Sequence, residues 1–386
     1  MTVKRLCGIP GFSIDRVASA AGNDPEILRL ENLDTDIAPP HGVIEASKNA
    51  ITNDDANSYL PFTGNLALCS AVANHLHKQT RIVYDPLKEV VITCGGTEGM
   101  FDTLLAITDP EDEVILTDPT YAGMINRVRL AGAIPKFVPF QLVDGQWRLD
   151  LDILQARVTD RTRALFIMNP SMPSGALLNM QEWQQIAKIC IERDIWLIYN
   201  AAMERIIYDN RPYIHPASLP GMAEHTITVG SVSKEYRMIG WRVGWVTGPA
   251  AIIKDISLVH IYNVVTPTGL SQTAACCALQ APNSDLLAAV NEWERRRDEI
   301  VEQLAGLPII SAAGGWSMLL NVKELGYSSL EASDLLLKHG KVAATPMCDW
   351  GEKNSDQFIR LVFSNEPVKR LSDIVNGKLK YRVLSQ

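Results

Sequence analysis

The sequence predicts an α/β protein, with a mostly parallel seven-stranded sheet covered by helices on both faces and a smaller α+β domain beside it. Three observations predict it. Short apolar, β-branched runs recur between about Val90 and Thr247, helical patterns separate them, and the rhythm changes after about Thr266. Continuous apolar runs alternating with helices are the mark of a parallel sheet buried on both faces.

Taken in order, residues 41 to about 75 read as entry helices, with Pro39-Pro40 as the crossing point into the large domain. The predicted strands are Val90–Cys94, Glu113–Thr117, Lys136–Phe140, Ala164–Met168, Trp196–Asn200, Thr226–Gly230 and Val243–Thr247. Pro139 restricts the third to a sheet edge or a strand end, because proline has no N–H to give to a ladder. Thr97–Ile107 and Met180–Arg193 supply crossover helices, and Asp109-Pro110 stops the first of them. Ser271–Ala281 is a helix of small residues, and Ser284–Leu304 is a long charged amphipathic one. A strand–helix–strand pattern closes the chain. The expected division is a large domain over 41–270 and a small one from 1–40 and 271–386.

Composition narrows the function. With 386 residues, 47% hydrophobic and 21% charged, the chain can bury a large core without disulfide staples. A formal net charge of −8 disfavours nucleic acid and anionic membranes as partners, since both want a basic face. The seven cysteines lack metal-ligand spacing, and no metal site is expected; such a set reads as reduced thiols of a cytoplasmic protein. Residues 1–12 have no apolar stretch behind their early basic residues, and no run approaches the roughly 18 apolar residues of a membrane span.

Ligands of open α/β sheets bind at the carboxyl ends of strands, and polar residues and glycines accumulate there. Cys94-Gly-Gly-Thr-Glu-Gly-Met100 follows a strand and opens a helix, so backbone N–H groups and a positive helix terminus could meet a phosphate. By itself it is a tight turn just as readily. Asp118-Pro-Thr-Tyr121 offers a ring that could stack on a flat heterocycle, although such a tyrosine is more often an ordinary partly buried one. Asn169-Pro-Ser-Met-Pro-Ser-Gly175 is a stiff turn in which a cis bond fits, and Asn200-Ala-Ala-Met203 leaves the strand before it. The fifth segment, Gly230-Ser-Val-Ser-Lys-Glu-Tyr-Arg-Met-Ile-Gly-Trp-Arg-Val-Gly-Trp245, carries the most. Ser231 and Ser233 flank Lys234 at a strand end, and Arg242 precedes the next strand. A semi-buried lysine has a depressed pKa and forms imines readily, and arginine beside hydroxyls and glycine N–H groups suits a phosphate dianion.

From about Leu30 to Arg360 this pattern resembles the class I/II aminotransferases, pyridoxal-phosphate enzymes of fold type I. Ser-Val-Ser-Lys…Gly-Trp-Arg-Val-Gly is its strongest element. The resemblance implies pyridoxal 5′-phosphate as cofactor, with Lys234 as the Schiff-base lysine and proton carrier. It implies Ser231 and Arg242 as phosphate ligands with Ser233 beside them, Gly96 and Thr97 as the phosphate turn, and Tyr121 as the stacking ring. Tyr59, in Ser-Tyr-Leu-Pro-Phe-Thr-Gly64, resembles the tyrosine that reaches the phosphate of the neighbouring subunit, which implies a homodimer with shared sites. Arg360, in Phe-Ile-Arg-Leu-Val-Phe, resembles the arginine that forks onto the substrate α-carboxylate. The implied reaction is ping-pong transamination between an α-amino acid and a 2-oxo acid.

Three residues depart from the family pattern. Met172 stands where the family has the second asparagine of Asn-Pro-x-Asn-Pro-Thr-Gly, and Asn200 and Met203 stand where it has the aspartate and tyrosine of Asp-x-x-Tyr. Neither methionine can donate to the cofactor's 3-hydroxyl oxygen. A carboxylate at 200 would keep the ring nitrogen protonated, shifting such a group by about 1–3 pKa units, whereas an amide cannot offset a ring charge. Glu204 and Asp209 follow, at positions that favour the surface. Leu33, where the family often has glycine, implies a remodelled side-chain pocket. These departures leave open a different pyridoxal-phosphate reaction (lyase, racemase or cyclase) and a variant with turnover impaired by Asn200. A non-catalytic regulatory protein on the same fold is disfavoured by the acidic charge.

Overall fold

The computed structural model describes residue 3, residues 6–11 and residues 13–372. Residues 373–386, which the expected small domain includes, lie outside the described residues, as do residues 1, 2, 4, 5 and 12. In chain order the strands are β1 (Leu28–Arg29), β2 (Val90–Thr93), β3 (Glu113–Asp118), β4 (Ile134–Val143), β5 (Gln146–Leu149), β6 (Thr162–Met168), β7 (Trp196–Asn200), β8 (Thr226–Ser231) and β9 (Gly244–Thr247). Then follow β10 (Ile309–Ile310), β11 (Ser317–Asn321), β12 (Val342–Ala343), β13 (Thr345–Pro346) and β14 (Phe358–Val362).

The large sheet has eight strands in the order β2-β9-β8-β7-β6-β3-β4-β5. β4, β3, β6, β7 and β8 run parallel, and β9 runs antiparallel to both β8 and β2. All the strands predicted from the sequence are present. The eighth, β5, is an addition that turns back on β4 from Phe140↔Leu149 to Val143↔Gln146. Pro139 explains where β5 can pair. Between Ile134 and Pro139 β4 pairs with β3, and its ladder with β5 begins only at Phe140, so the residue without a donor sits where the second ladder has not yet started. Every residue of β3 and of β8 is buried, as a sheet covered on both faces requires.

The helix Gly95–Ile107 ends ahead of Asp109-Pro110, with Thr108 already extended. Met180–Arg193 begins on a capping box of Asn179 and Glu182, and Glu182 also accepts the Leu149 N–H at 2.7 Å, which ties β5 to that helix. The helix Gly269–Leu279 packs against Val43–Ile51 and Leu66–Thr80.

Beyond the long helix Asn283–Gln303, β10, β11, β14 and β13 form an antiparallel sheet in that order. β1 pairs in parallel with β12, so the N-terminal segment joins this second layer. The long helix also fixes the segment after β1. Arg296 binds Asp36 at 2.7 Å and the Ser364 carbonyl at 2.7 Å, and the Trp293 ring N–H reaches Thr35 Oγ1 at 3.2 Å. No helix among the described residues is long and apolar enough to cross a membrane.

The strand directions decide where chemistry can occur. β2 points the same way as the parallel strands, so Thr93, Asp118, Met168, Asn200 and Ser231 all end at one edge of the sheet. The segment 33–36 lies over that edge, because Leu33 meets Lys234 there.

Candidate active site

A cavity of about 190 Å³ opens at this edge, lined by Leu33, Gly96, Thr97, Tyr121, Met172, Asn200, Met203, Ser231, Ser233, Lys234 and Arg242. Every strand end flagged in the sequence thus contributes to one space. Two candidate residues do not line it. Tyr59 is 86% exposed, and Arg360 is fully buried behind Met172.

One end of the cavity is an anion cup. Gly95 has φ +74, and a Cβ there would come within 2.6 Å of Arg242 Nη2. A Cβ on Gly244 would lie 2.5 Å from both Gly95 C and Gly96 N. The glycines therefore let the helix start, the strand β9 and the guanidinium close on one point. The first-turn N–H groups of Gly95–Ile107 have no partner within their own helix. Ser231 Oγ accepts the Ser233 N–H at 3.3 Å and keeps its own proton to donate. Arg242 Nη1 is anchored on the Ile239 carbonyl at 2.8 Å, with Ser233 Oγ at 3.5 Å. N–H groups, hydroxyls and a guanidinium converging at a helix N-terminus fit a phosphate dianion.

Lys234 stands between this cup and the second layer. Its Nζ donates to the Leu33 carbonyl at 2.8 Å and lies 4.8 Å from the centre of the Trp316 ring. Burial pulls the amine down to about 7; Asp34 opposes the shift, and the Arg360 and Arg242 charges reinforce it. By surface Lys234 is only half-buried, because its side chain faces the cavity. An amine that is about half neutral near pH 7 is a competent nucleophile and base.

The walls show what the three departures do. Asn200 Oδ1 accepts the Ala202 N–H at 3.1 Å, so its amide group points the other way, 3.4 Å from the Met100 sulfur. The Ala202 N–H fixes this orientation, since the NH2 end could not accept it. Asn200 therefore presents a donor to the cavity, which matches an unprotonated ring nitrogen. Met172 and Met203 are both buried, and neither offers a donor. Tyr121 lies under the Arg127 guanidinium, 5.6 Å from its ring centre. The cis bond that the stiff turn allows is present at both Asn169–Pro170 and Met172–Pro173, and a third lies at Asp118–Pro119.

Arg360, on β14, gives one hydrogen bond to the Glu31 carbonyl at 2.6 Å and one to Thr345 Oγ1 at 3.1 Å, and it stacks on Trp350 with Cζ 4.8 Å from the ring. Its Nε has no partner, and Nη1 has only the Met172 sulfur at 3.7 Å. Burial pulls the guanidinium below its ordinary value, with Glu31 opposing. A buried cation with donors to spare, behind the cavity wall, fits an incoming carboxylate.

Two sequence expectations need correction or addition. Glu204 is not a surface residue: it is buried, it accepts from Tyr213 OH at 2.9 Å, and burial followed by the Glu235 charge pushes its carboxyl up to about 8. It does not line the cavity. Asp209, as expected, is exposed, and it pairs with Arg297 at 2.7 Å. Sequence reasoning missed Trp316, Trp350, Met168, Ala202 and Ile239. Met168 and Ala202 stand at strand ends already flagged. The tryptophans come from the distant second layer and carry no local signal.

The family model for aminotransferases of class I and II matches residues 28–375. The chain is similar to an aspartate aminotransferase of Pyrococcus abyssi, at 31% identity over 97% of this chain and 98% of that one. It is likewise similar to an arginine–pyruvate transaminase of Pseudomonas aeruginosa, at 32% identity over 82% and 80% of the two chains. The solved structure of an N-succinyldiaminopimelate aminotransferase from Mycobacterium tuberculosis superposes with a TM-score of 0.91 at 29% identity, covering 97% of this chain and all of that one (100%). The likeness to these relatives runs along nearly the whole chain, and the protein belongs to the class I and II aminotransferases, pyridoxal-phosphate-dependent enzymes that move an amino group between an amino acid and a 2-oxo acid.

Proposed function

We propose that Lys234 is the residue that holds pyridoxal phosphate and carries the proton of the transamination. The observation that carries this reading is the placement of its amine, lowered to about 7, between the cup and Arg360. Bound pyridoxal phosphate supplies an electron sink that acidifies the Cα–H of the amino acid attached to it. Gly96, Thr97, Ser231, Ser233 and Arg242 would hold its phosphate, and Tyr121 would pack against its ring. Arg360 holds the substrate carboxylate through Nε and Nη1, which fixes the Cα–H within reach of Lys234 Nζ. Nζ would take that proton and hold it for return in the second half of the transfer. Leu33 narrows the substrate side of the cavity.

The relatives carry names of unlike substrates at like identity, so similarity does not choose among them. The test is the visible spectrum of the holoenzyme against a panel of α-amino acids. Productive amino acids convert the resting band to that of the aminated cofactor, and a 2-oxo acid restores it. No conversion with any amino acid would sink the reading.

Asn200 sets the rate within that reading. With the cofactor bound, its amide would offer the ring nitrogen a donor but no charge to stabilise a proton there, so the sink would be weaker than a carboxylate would make it. Asn200→Asp keeps an acceptor for the Ala202 N–H and adds the charge. The expected outcome is a single-turnover rate increased by about tenfold or more, one pKa unit being about 1.4 kcal/mol. An unchanged rate would show that the ring nitrogen does not limit turnover.

The exposed side chains support a homodimer with shared sites. Tyr59 and Tyr262 are each 86% exposed, and Ile44, Ile51 and Phe62 are about half exposed. In that assembly the Tyr59 segment of each subunit reaches the other's cup. Seven free cysteines support a cytoplasmic setting. The pairing of β1 with β12 supports a small domain built from both chain ends, and the packing of Gly269–Leu279 on Val43–Ile51 supports counting that helix with the large one.

A further inference from the structure

The helix that opens the cup is held from behind by a histidine that none of this chemistry uses. His260, in the helix Ala250–Asn263, is fully buried. Its Nδ1 lies 2.6 Å from Glu98 Oε1 and 3.8 Å from Asp102 Oδ2, and its Nε2 lies 3.0 Å from the Phe62 carbonyl oxygen. Both ring nitrogens therefore face acceptors. A neutral imidazole has one N–H and one lone pair, so a neutral ring would set its lone pair against an oxygen or require a proton on Glu98. A proton on Glu98 would relieve that lone pair but would leave Asp102 with no cation beside it. Asp102 is fully buried, its Oδ1 accepts from Asn263 Nδ2 at 3.0 Å, and its Oδ2 has no hydrogen-bond donor. A charged ring serves all three oxygens at once.

The three side chains are also spaced as metal ligands would be. However, Nδ1 and Glu98 Oε1 are at hydrogen-bond distance, which leaves no room for an ion between them.

What the ring connects gives it a role. Glu98 follows Gly96 and Thr97 in the first turn of its helix, and its Oε2 accepts the Cys94 N–H, so this carboxylate braces the turn that forms the cup. The Phe62 carbonyl belongs to the segment that carries Tyr59. That segment is pinned to β2, where the Thr63 carbonyl accepts the Ile92 N–H at 2.9 Å and a Cβ on Gly64 would collide with Ile92 at 2.3 Å. We propose that His260 is a positioning residue: as a buried imidazolium it locks the phosphate turn to the Tyr59 segment, so that the grip on the cofactor phosphate depends on its proton. This rests on the reading of the cup as the phosphate site.

The titratable groups that face the ring are Glu98 and Asp102, both on Gly95–Ile107. The 58–64 segment presents only the Phe62 carbonyl, and Asn263 of its own helix acts through Asp102. Burial works against the charge, but the Asp102 and Glu98 carboxylates outweigh it and push the ring up to about 9. The folded value is raised, so the lock is complete below the ordinary histidine range and is lost as pH rises through about 9.

Two measurements on the cofactor-free protein test this. In a sample with ¹³C-labelled histidine, one of the seven ring resonances is expected to titrate near 9, with both nitrogens protonated at pH 7.5. Titration of every resonance at or below the ordinary histidine value would overturn the proposal. The second measurement is binding of pyridoxal phosphate by quenching of tryptophan fluorescence across pH 7 to 10. His260→Gln keeps one donor and removes the charge, so its affinity at pH 7.5 should be about tenfold weaker, as loss of a hydrogen bond to a charged group predicts. It should also lack the fall near pH 9 that the wild type shows. A variant that keeps that fall, or binds as tightly as the wild type, overturns the proposal. Arg242→Ala serves as the control. If it binds pyridoxal phosphate undiminished, the reading of the cup fails, independently of His260.

Discussion

Lys234→Ala should lower kcat by about 10⁴-fold or more while the protein still binds pyridoxal phosphate. The two halves of this expectation have separate causes. The cup is built from the turn at Gly96 and Thr97, the hydroxyls of Ser231 and Ser233, and Arg242, none of which needs the Lys234 amine for its position. The proton transfer has no substitute. Besides Lys234, the titratable side chains lining the cavity are Tyr121 and Arg242, and a guanidinium is no base at neutral pH. Stopped-flow absorbance with a productive amino acid gives the rate, and equilibrium dialysis gives the retained cofactor. A variant that kept even a hundredth of the wild-type rate would show that Lys234 is not the proton carrier. In the wild type, capture of cofactor by the cofactor-free protein should rise about tenfold per pH unit and level off near 7, because burial has drawn the amine down to about 7.

Arg360→Lys should cut kcat/KM for amino acids by about 10²- to 10³-fold, mostly through KM, with little loss of cofactor. The substitution preserves a positive charge in a buried place, so charge alone is not what is tested. It removes the fork. In the native protein one nitrogen is committed to the Glu31 carbonyl and Thr345, and the plane of the group is held against Trp350. The other donors are left for a carboxylate. An ammonium can reach one acceptor set but cannot present two donors in a fixed plane. Unchanged kcat/KM would mean that the carboxylate is held elsewhere. Loss confined to thermal stability would mean that Arg360 serves only the packing of β14 against β11 and β13.

The part of the site that was legible in the sequence is the part made of short contiguous segments at strand ends. Ser231, Ser233, Lys234 and Arg242 announce an anion and an imine within one stretch, and the strand before them fixes the edge from which they emerge. Gly96 and Thr97 were legible for the same reason. The environment that tunes them was not. Trp316 lies under the Lys234 amine, and Asp34 opposes the lowering of its pKa, but both come from remote parts of the chain and have no pattern of their own. Glu204 misled because a glutamate just past a strand ordinarily points to water. Here Tyr213 hydrogen-bonds to it within the protein. The strand β5 was missed because Gln146–Leu149 is short and polar at its start, and only Pro139 hinted that its neighbour had a free side.

Leu33 meets the Lys234 amine through its carbonyl oxygen, an atom that every residue type possesses. Its side chain and its backbone therefore answer to different demands. The oxygen offers the Lys234 amine a berth, and that berth survives any substitution that leaves the 33–36 segment on the long helix. The side chain is then free to vary with the width of substrate required. A position that looks tolerant in a survey of substitutions would in this way still be fixed in its mechanical duty, and the true guardians of that duty would be Arg296 and Trp293, which hold the segment in place.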